Sequence, residues 1–284
     1  MHRNQPHLLA VLVLLVLAIA GTRPVAPPAA SLSGAFGEGT PIVLLHGLGS
    51  RPEDWLATAR RLAPRHRVSM VDLPGHGDTE MPQPFSLERA TAALDRSLAQ
   101  VPGGPVILVG HSLGGLIAAA EAIEHPGRVR GLVLVEAALR PQLPEPLREE
   151  WMGRLQREYR RVVRTAYLDF GRDSAQGEAL YRRVEALDPH MVQRWIRLAW
   201  TADLSGRARR LGMPVLVVLA ERSWAPDEPW SEVAEALGLT GITRLSAVRI
   251  ADCGHFVMLD HPDELATLIE AFAANPAAAP VAAR

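Results

Sequence analysis

The sequence is short of several features that would place it in a familiar class of protein. Its single cysteine, Cys253, excludes an internal disulfide framework. It has no lysine, and its 30 basic residues balance 31 acidic ones to a net charge of −1, so nothing indicates a nucleic-acid partner. Its longest apolar run, Leu8 to Ala20, is shorter than the about 20 residues that span a bilayer. At 284 residues, the chain is long enough for one large domain.

That apolar run is nevertheless typical of a signal peptide. Arg3 precedes it, and Ala18 and Ala20 supply the small residues that a signal peptidase accepts. We therefore predict a cleaved signal peptide at residues 1–20 and a secreted or periplasmic protein. A retained membrane anchor is the alternative. A flexible leader at 21–39 and a disordered tail at 275–284 are predicted from their proline and alanine content.

Between these ends, short apolar runs alternate with helical stretches, which predicts an α/β fold with a mostly parallel sheet and flanking helices. The predicted strands are Pro41–Leu45, Val68–Val71, Val106–Val109, Val129–Val135, Pro214–Leu219 and, more weakly, Val248–Ala251. The predicted helices are 53–63, 86–100, 113–125, 228–237 and 262–274. The core thus comprises residues 40–139 and 211–274. Residues 140–210 lack a strand-like run and are predicted to form an inserted helical cap of two or three helices.

The stretch Gly110-His111-Ser112-Leu113-Gly114 joins an apolar strand to an alanine-rich helix. Ligands of parallel sheets bind at the carboxyl ends of the strands. A G-x-S-x-G turn in this position strains the serine backbone and presents its hydroxyl, while the glycines avoid collision with the adjoining strand and helix. We predict Ser112 as a nucleophile and the Leu113 backbone N–H as a donor to an oxyanion. His111 is predicted to be a packing residue or one that supports the catalytic residues without reacting.

The loop His46-Gly47-Leu48-Gly49 follows the first predicted strand. A loop of small residues lets the backbone approach a nucleophile closely, so we predict the Leu48 N–H as the second oxyanion donor. An ordinary glycine turn is the alternative.

A general base is expected near the C-terminal end of the domain, in the order serine, acid, histidine. His255 lies in a loop between the last strand and the last helix, whereas His261 stands at the helix entrance and is predicted to be structural. Five further histidines show no metal-ligand spacing, so we predict no metal: His46, His66, His76, His125 and His190. Chemistry carried by a serine and a histidine implies no cofactor.

Four stretches, LLHGLGS, VDLPGHGDT, GHSLGG and GHFVMLDHP, make residues from about 40 to 274 resemble the α/β-hydrolase fold superfamily. The similarity is to the serine esterase and lipase-like branch with a helical cap. It implies a Ser–His hydrolase and leaves the substrate open, because this fold hosts many chemistries. The family usually has a β-hairpin before the strand at Pro41, and we expect that hairpin to be shortened or missing here.

The acid of the triad is the point at which the chain departs from the family. The usual register would place an aspartate at position 223, where this chain has Ser223. Glu136, at the end of the preceding strand, is our first candidate, since some families of this fold carry the acid there. Asp227 is the second, although it also suits a helix N-cap. Glu221 follows the strand too closely to occupy the usual position of the acid, and we expect its side chain to point away from the site.

The predicted function is hydrolysis of a small to medium hydrophobic carboxylic ester through an acyl-enzyme; a lactone or thioester would use the same groups. The expected partner is therefore a hydrophobic small molecule, with a membrane involved only if the N-terminal segment is retained. A ligand-binding or signalling protein without hydrolytic activity on the same fold is the alternative function.

Overall fold

The structure, a computed structural model, describes residues 32–276 and 282–283. Eight strands form one sheet in the order β1-β3-β2-β4-β5-β6-β7-β8, and only β1 runs antiparallel to its neighbour. The strands are β1 Leu32–Phe36, β2 Thr40–Leu45, β3 His66–Val71, β4 Val106–His111, β5 Val129–Val135, β6 Val215–Ala220, β7 Leu245–Ile250 and β8 Ala282–Ala283. The predicted mostly parallel sheet is confirmed.

The central strands are buried along nearly their whole length, which explains their continuous valine and leucine content. Every residue of β4 and β6 is buried, as expected for strands covered by helices on both faces. The helices are α1 Leu56–Leu62, α2 Leu87–Leu98, α3 Leu113–Glu124, α4 Glu145–Arg157, α5 Tyr159–Phe170, α6 Ser174–Glu185, α7 Pro189–Thr201, α8 Trp230–Ala236, α9 Val257–Asp260 and α10 Pro262–Ala274. Among them, α1 packs against α10 and α2 packs against α3.

Four helices, α4–α7, lie between β5 and β6, where the sequence predicts two or three. The chain breaks at Glu158, whose φ of −129° and ψ of 36° separate α4 from α5. Asp173 and Asp188 then cap the N-termini of α6 and α7 with their carboxylates. The four-residue spacing of Trp151, Leu155, Tyr159 and Val163 continues across Glu158, so the sequence pattern does not separate α4 from α5.

The predicted flexible leader is corrected for residues 32–36, which form β1 on the edge of β3. Backbone hydrogen bonds to a free strand edge hold this segment, and its small residues give no alternating apolar pattern to predict it. One antiparallel strand therefore precedes β2 in the described part of the chain, where the family usually has a hairpin. Ala282–Ala283 pair with β7 inside the predicted tail.

The predicted signal peptide lies outside the described residues, so it and the predicted localisation stay predictions. Of the helices within residues 32–276, none combines the length and the apolar character needed to cross a membrane.

The far end of α3 carries a buried carboxylate. Glu121 is 0% exposed, and its Oε2 lies 3.1 Å from His125 Nδ1. Asp95 lies close to both, which makes an acidic group of the kind that binds metals, but Arg128 pairs with Asp95. Burial raises the pKa of Glu121 to about 7, against the smaller opposing effect of His125.

Glu121→Gln should therefore stabilise the protein at pH 8 by on the order of 1–3 kcal/mol. At pH values between the ordinary carboxyl pKa and about 7, Glu121 is protonated in the folded state but ionised in the unfolded state. Stability thus falls as pH rises through this window in the wild type, and the glutamine variant avoids that loss. Thermal unfolding at pH 5 and pH 8 measures the difference, with the exposed Glu149→Gln as control. Equal stabilisation at both pH values would contradict the assignment.

Candidate active site

Ser112 sits at a strained turn between β4 and α3. Its φ is +52°, a conformation uncommon for a residue with a Cβ, and its N–H donates to Val135 O at 2.9 Å. A Cβ on Gly114 would stand 2.3 Å from His46 O, and one on Gly110 would stand 2.5 Å from Gly114 O. A side chain at either position would therefore collide with neighbouring backbone, which is the role predicted for the two glycines.

Glu136 meets His255 next to this turn. The Glu136 carboxylate oxygen Oε2 accepts a hydrogen bond from His255 Nδ1 at 2.9 Å, and the glutamate side chain is only 1% exposed. Glu136 directly follows β5, and its φ of +50° is a second left-handed backbone position at the site. Its Oε1 accepts the Ala220 N–H at 2.7 Å, so both carboxylate oxygens are satisfied in the interior.

The alternative acids do not reach this histidine. Asp227 is exposed in the loop after β6, and no hydrogen bond joins it to His255 in the described part of the chain. Glu221 lies at the end of β6, where its N–H donates to Ile250 O, and its side chain lines a different, open cleft. Of the three carboxylates that the sequence offers, the structure brings Glu136 to His255.

Ser223, which occupies the position of the usual aspartate, contributes a hydroxyl to the same cluster. Its Oγ donates to Glu136 Oε2 at 2.8 Å, the oxygen that also receives the His255 hydrogen bond. The loop after β6 thus supplies the hydroxyl donor of Ser223, and the residue after β5 supplies the carboxylate of Glu136. The sequence marks Ser223 as a departure from the family pattern, but it does not show that this hydroxyl contacts Glu136.

The two predicted oxyanion donors lie beside Ser112. Leu113 is the first residue of α3, so its N–H has no partner within the helix. Leu48, in the loop after β2, lines the same cavity as Ser112, Leu113 and His255. Backbone N–H groups of residues that line one cavity, one of them at a helix N-terminus, are suited to binding a developing negative charge.

His111 packs behind the histidine loop, as the sequence predicts. It is 1% exposed, and its Nε2 lies 2.9 Å from His255 O. Burial, reinforced by the neighbouring His255, lowers the pKa of His111 well below its usual range. The ring is therefore neutral, and since its Nε2 faces a carbonyl oxygen, this nitrogen carries the proton and donates it.

The cavity above Ser112 has a volume of about 150 Å³ and is mostly apolar. Helix α5 contributes Val163, Ala166, Tyr167 and Phe170 to its wall, and α7 contributes Ile196, Ala199 and Trp200. Among the described residues, no arginine, aspartate or glutamate lines it. Some aromatic residues of the α4–α7 segment thus line the cavity, while others pack in the interior. Trp195 is of the second kind: it is fully buried and donates to Pro74 O.

Helix α5 provides contacts that the sequence does not indicate. Phe170 stacks on the His255 ring, with centroids 4.6 Å apart and planes 25° apart, and its carbonyl accepts the His255 N–H at 2.8 Å. The Tyr167 hydroxyl donates to Leu48 O at 2.7 Å. Both contacts join segments more than 80 residues apart, and no local pattern predicts such pairs.

Known proteins similar in sequence include two esterases. The chain is 30% identical over 258 residues to a pimeloyl-[acyl-carrier protein] methyl ester esterase of Serratia marcescens, covering 84% of this chain and 96% of that protein. It is 31% identical over 259 residues to the protein of the same name from Stenotrophomonas maltophilia, covering 84% and 95%.

Solved structures share the fold. A hydrolase from Oleispira antarctica superposes with a TM-score of 0.73 at 18% identity, covering 85% of this chain and 94% of its own. A thermophilic esterase from Thermogutta terrifontis superposes with a TM-score of 0.71 at 23% identity, covering 89% and 97%. The sequence model of the alpha/beta hydrolase family matches residues 42–268. That match spans most of the chain, and the protein therefore belongs to the alpha/beta hydrolase family.

Proposed function

We propose that this protein is a serine hydrolase that cleaves a carboxylic ester of small to medium size through an acyl-enzyme. The observation that carries the proposal is the hydrogen bond that His255 donates to the buried Glu136 carboxylate, with His255 and the strained Ser112 lining the same apolar cavity. The esterase relatives support the same class of reaction.

In the first half of the reaction, the Ser112 Oγ attacks the ester carbonyl carbon while His255 takes the hydroxyl proton. The buried carboxylate of Glu136 stabilises the imidazolium and holds its Nδ1–H. The Leu48 and Leu113 N–H groups donate to the oxyanion. When the tetrahedral intermediate collapses, His255 returns the proton to the departing alcohol, and Ser112 keeps the acyl group.

In the second half, a water molecule attacks the acyl-enzyme with His255 again as the base, and the carboxylic acid leaves as the Ser112 hydroxyl is restored. The neutral His111 supports this cycle by holding the His255 backbone without competing for the proton. Neither half-reaction requires a metal or cofactor in this scheme.

The cavity indicates the kind of substrate. Its volume of about 150 Å³ holds roughly five groups of the size of a water molecule or a methylene. Because charged side chains are missing from its described lining, the part of the substrate that it encloses is neutral and apolar. We therefore propose short, unbranched esters as the best substrates, with lactones and thioesters as related ones.

A second candidate follows from the names of the relatives, which act on a methyl ester carried by an acyl carrier protein. A methyl ester at the end of an acyl chain would suit the apolar cavity equally well. Rates with carrier-bound and free methyl esters of the same acyl chain distinguish the two: a preference of at least tenfold for the carrier-bound ester favours the second candidate.

Covalent labelling by a fluorophosphonate tests the proposed function directly. We expect one label per chain, on the peptide that contains Ser112, and faster hydrolysis of p-nitrophenyl butyrate than of the dodecanoate. A folded wild type that neither reacts with the probe nor hydrolyses either ester would contradict the proposal and favour a binding protein on the same fold.

A further inference from the structure

The loop that carries the Leu48 oxyanion donor is held by a helix from outside the core. The Tyr167 hydroxyl, on α5, donates to Leu48 O at 2.7 Å, and Tyr167 is only 4% exposed. Burial raises the pKa of Tyr167 above its usual range, so the hydroxyl keeps its proton and remains a donor. The carbonyl that it contacts belongs to the peptide between Leu48 and Gly49.

The same peptide is held from its other side. The Gly49 N–H donates to His76 Nε2 at 3.2 Å, and His76 is 2% exposed. Burial lowers the pKa of His76 to about 3, with further lowering by His46, so this imidazole is neutral and its Nε2 can accept. One peptide unit thus has its carbonyl fixed by a tyrosine and its N–H fixed by a histidine.

The preceding peptide is also fixed. Gly47 O accepts the Ser50 N–H at 3.2 Å and lies 2.7 Å from His46 Nδ1. With both flanking peptides held, the φ and ψ angles of Leu48 are fixed, and so is the direction of its N–H. The contact with Tyr167 is close: a Cβ on Gly49, whose φ is +69°, would stand 2.4 Å from the tyrosine hydroxyl.

We propose that Tyr167 is a positioning residue for the oxyanion loop: its hydroxyl holds the Leu48–Gly49 peptide so that the Leu48 N–H faces the reacting carbonyl. This inference rests on the proposed function of the site. Tyr167 acts through the backbone of Leu48, so its hydroxyl affects the stabilisation of the oxyanion more than the binding of the ester.

The helix that carries Tyr167, α5, also contacts His255, the proposed base. One helical turn further on, Phe170 stacks on His255 and accepts its N–H. The carbonyl end of α5 therefore faces the histidine that becomes positively charged in the reaction, which is the favourable sense for a helix dipole. The last turn of α5 therefore contacts both the loop of the proposed oxyanion donor and the proposed base.

Tyr167→Phe removes only the hydroxyl and is the direct test. We expect kcat for p-nitrophenyl butyrate to fall about tenfold with KM changed less than twofold, since removing a donor outright costs about 10²–10³. The inhibition constant of a phenylboronic acid, whose tetrahedral adduct occupies the oxyanion site, should rise by a similar factor. Tyr181→Phe, which removes a hydroxyl bonded to Glu185 away from the cavity, is the matched control and should keep kcat.

Substitutions at His76 and a measurement independent of activity complete the test. His76→Gln keeps an acceptor for the Gly49 N–H and should retain kcat within about threefold, whereas His76→Leu should lose about as much as Tyr167→Phe. Hydrogen exchange of the segment 46–50, measured by mass spectrometry, should be faster in Tyr167→Phe than in Tyr181→Phe.

The outcomes separate the two proposals. An active wild type whose Tyr167→Phe variant keeps both its kcat and its slow exchange overturns the positioning role and leaves the esterase function standing. A wild type that hydrolyses no ester and takes no label overturns the proposed function, and the positioning role falls with it.

Discussion

Alanine in place of Ser112 is expected to lower kcat for ester hydrolysis by about 10⁴- to 10⁶-fold, the range found when a hydrolase loses its nucleophile. The variant keeps a Cβ, so the strained backbone at φ +52° is unchanged and the fold is retained. Initial rates with p-nitrophenyl butyrate, together with the loss of fluorophosphonate labelling, measure the effect.

Ser231→Ala is the matched control, because Ser231 is exposed on α8, outside the described lining of the cavity. It should be labelled and should turn over ester at the wild-type rate. If Ser112→Ala kept more than about 1% of wild-type kcat while remaining folded, the nucleophile would have to be another residue.

Glu136→Gln is expected to cause the second-largest loss, about 10³- to 10⁴-fold in kcat, with Tm little changed. Glutamine preserves the shape of the side chain but removes the negative charge that stabilises the imidazolium. Its amide group can also present an N–H to His255 Nδ1 and select the wrong tautomer of the ring. Asp227→Asn, at the exposed alternative acid, should stay within twofold of the wild type.

A carboxylate at position 223 should partly replace the lost one. Ser223 Oγ lies 2.8 Å from the Glu136 oxygen that contacts His255, so the side chain of an aspartate there reaches the same imidazole. We expect Ser223→Asp in the Glu136→Gln background to recover at least about tenfold in kcat, and Ser223→Ala in that background to recover none. A large loss in Asp227→Asn with none in Glu136→Gln would reverse the assignment.

The sheet could be predicted because its strands carry their own pattern. The bounds predicted for Val129–Val135 are those that the structure shows, since a mostly apolar run between Arg128 and Glu136 is typical of a largely buried strand. Segment β1 has no such run and is held by its neighbour, so it was missed. The apolar spacing of α4 continues into α5 across Glu158, so the sequence pattern reads these two helices as one.

Among the residues of the candidate site, too, those with a local sequence motif could be predicted, and those that depend on tertiary packing could not. Ser112, Leu113 and Leu48 belong to local motifs at strand ends, and those motifs foretell where they lie. The choice between Glu136 and Asp227 depended on the direction of a side chain after a strand, which the left-handed backbone of Glu136 determines. The contact of Tyr167 with Leu48 spans 119 residues, and only the packing of α5 on the core creates it.

The position of Glu136, the proposed acid, has a consequence for how activity is expected to be lost on heating. Ser112 and Glu136 each stand one residue past the last paired residues of β4 and β5, and those residues, His111 and Val135, pair with each other. The distance between the backbones of Ser112 and Glu136 is therefore set by the inter-strand distance of about 4.8 Å, and a loop does not determine it. Thermal loosening of the surface can displace an acid on a loop while the core stays intact. Here we expect the separation between the proposed nucleophile and the proposed acid to persist until the central sheet itself comes apart.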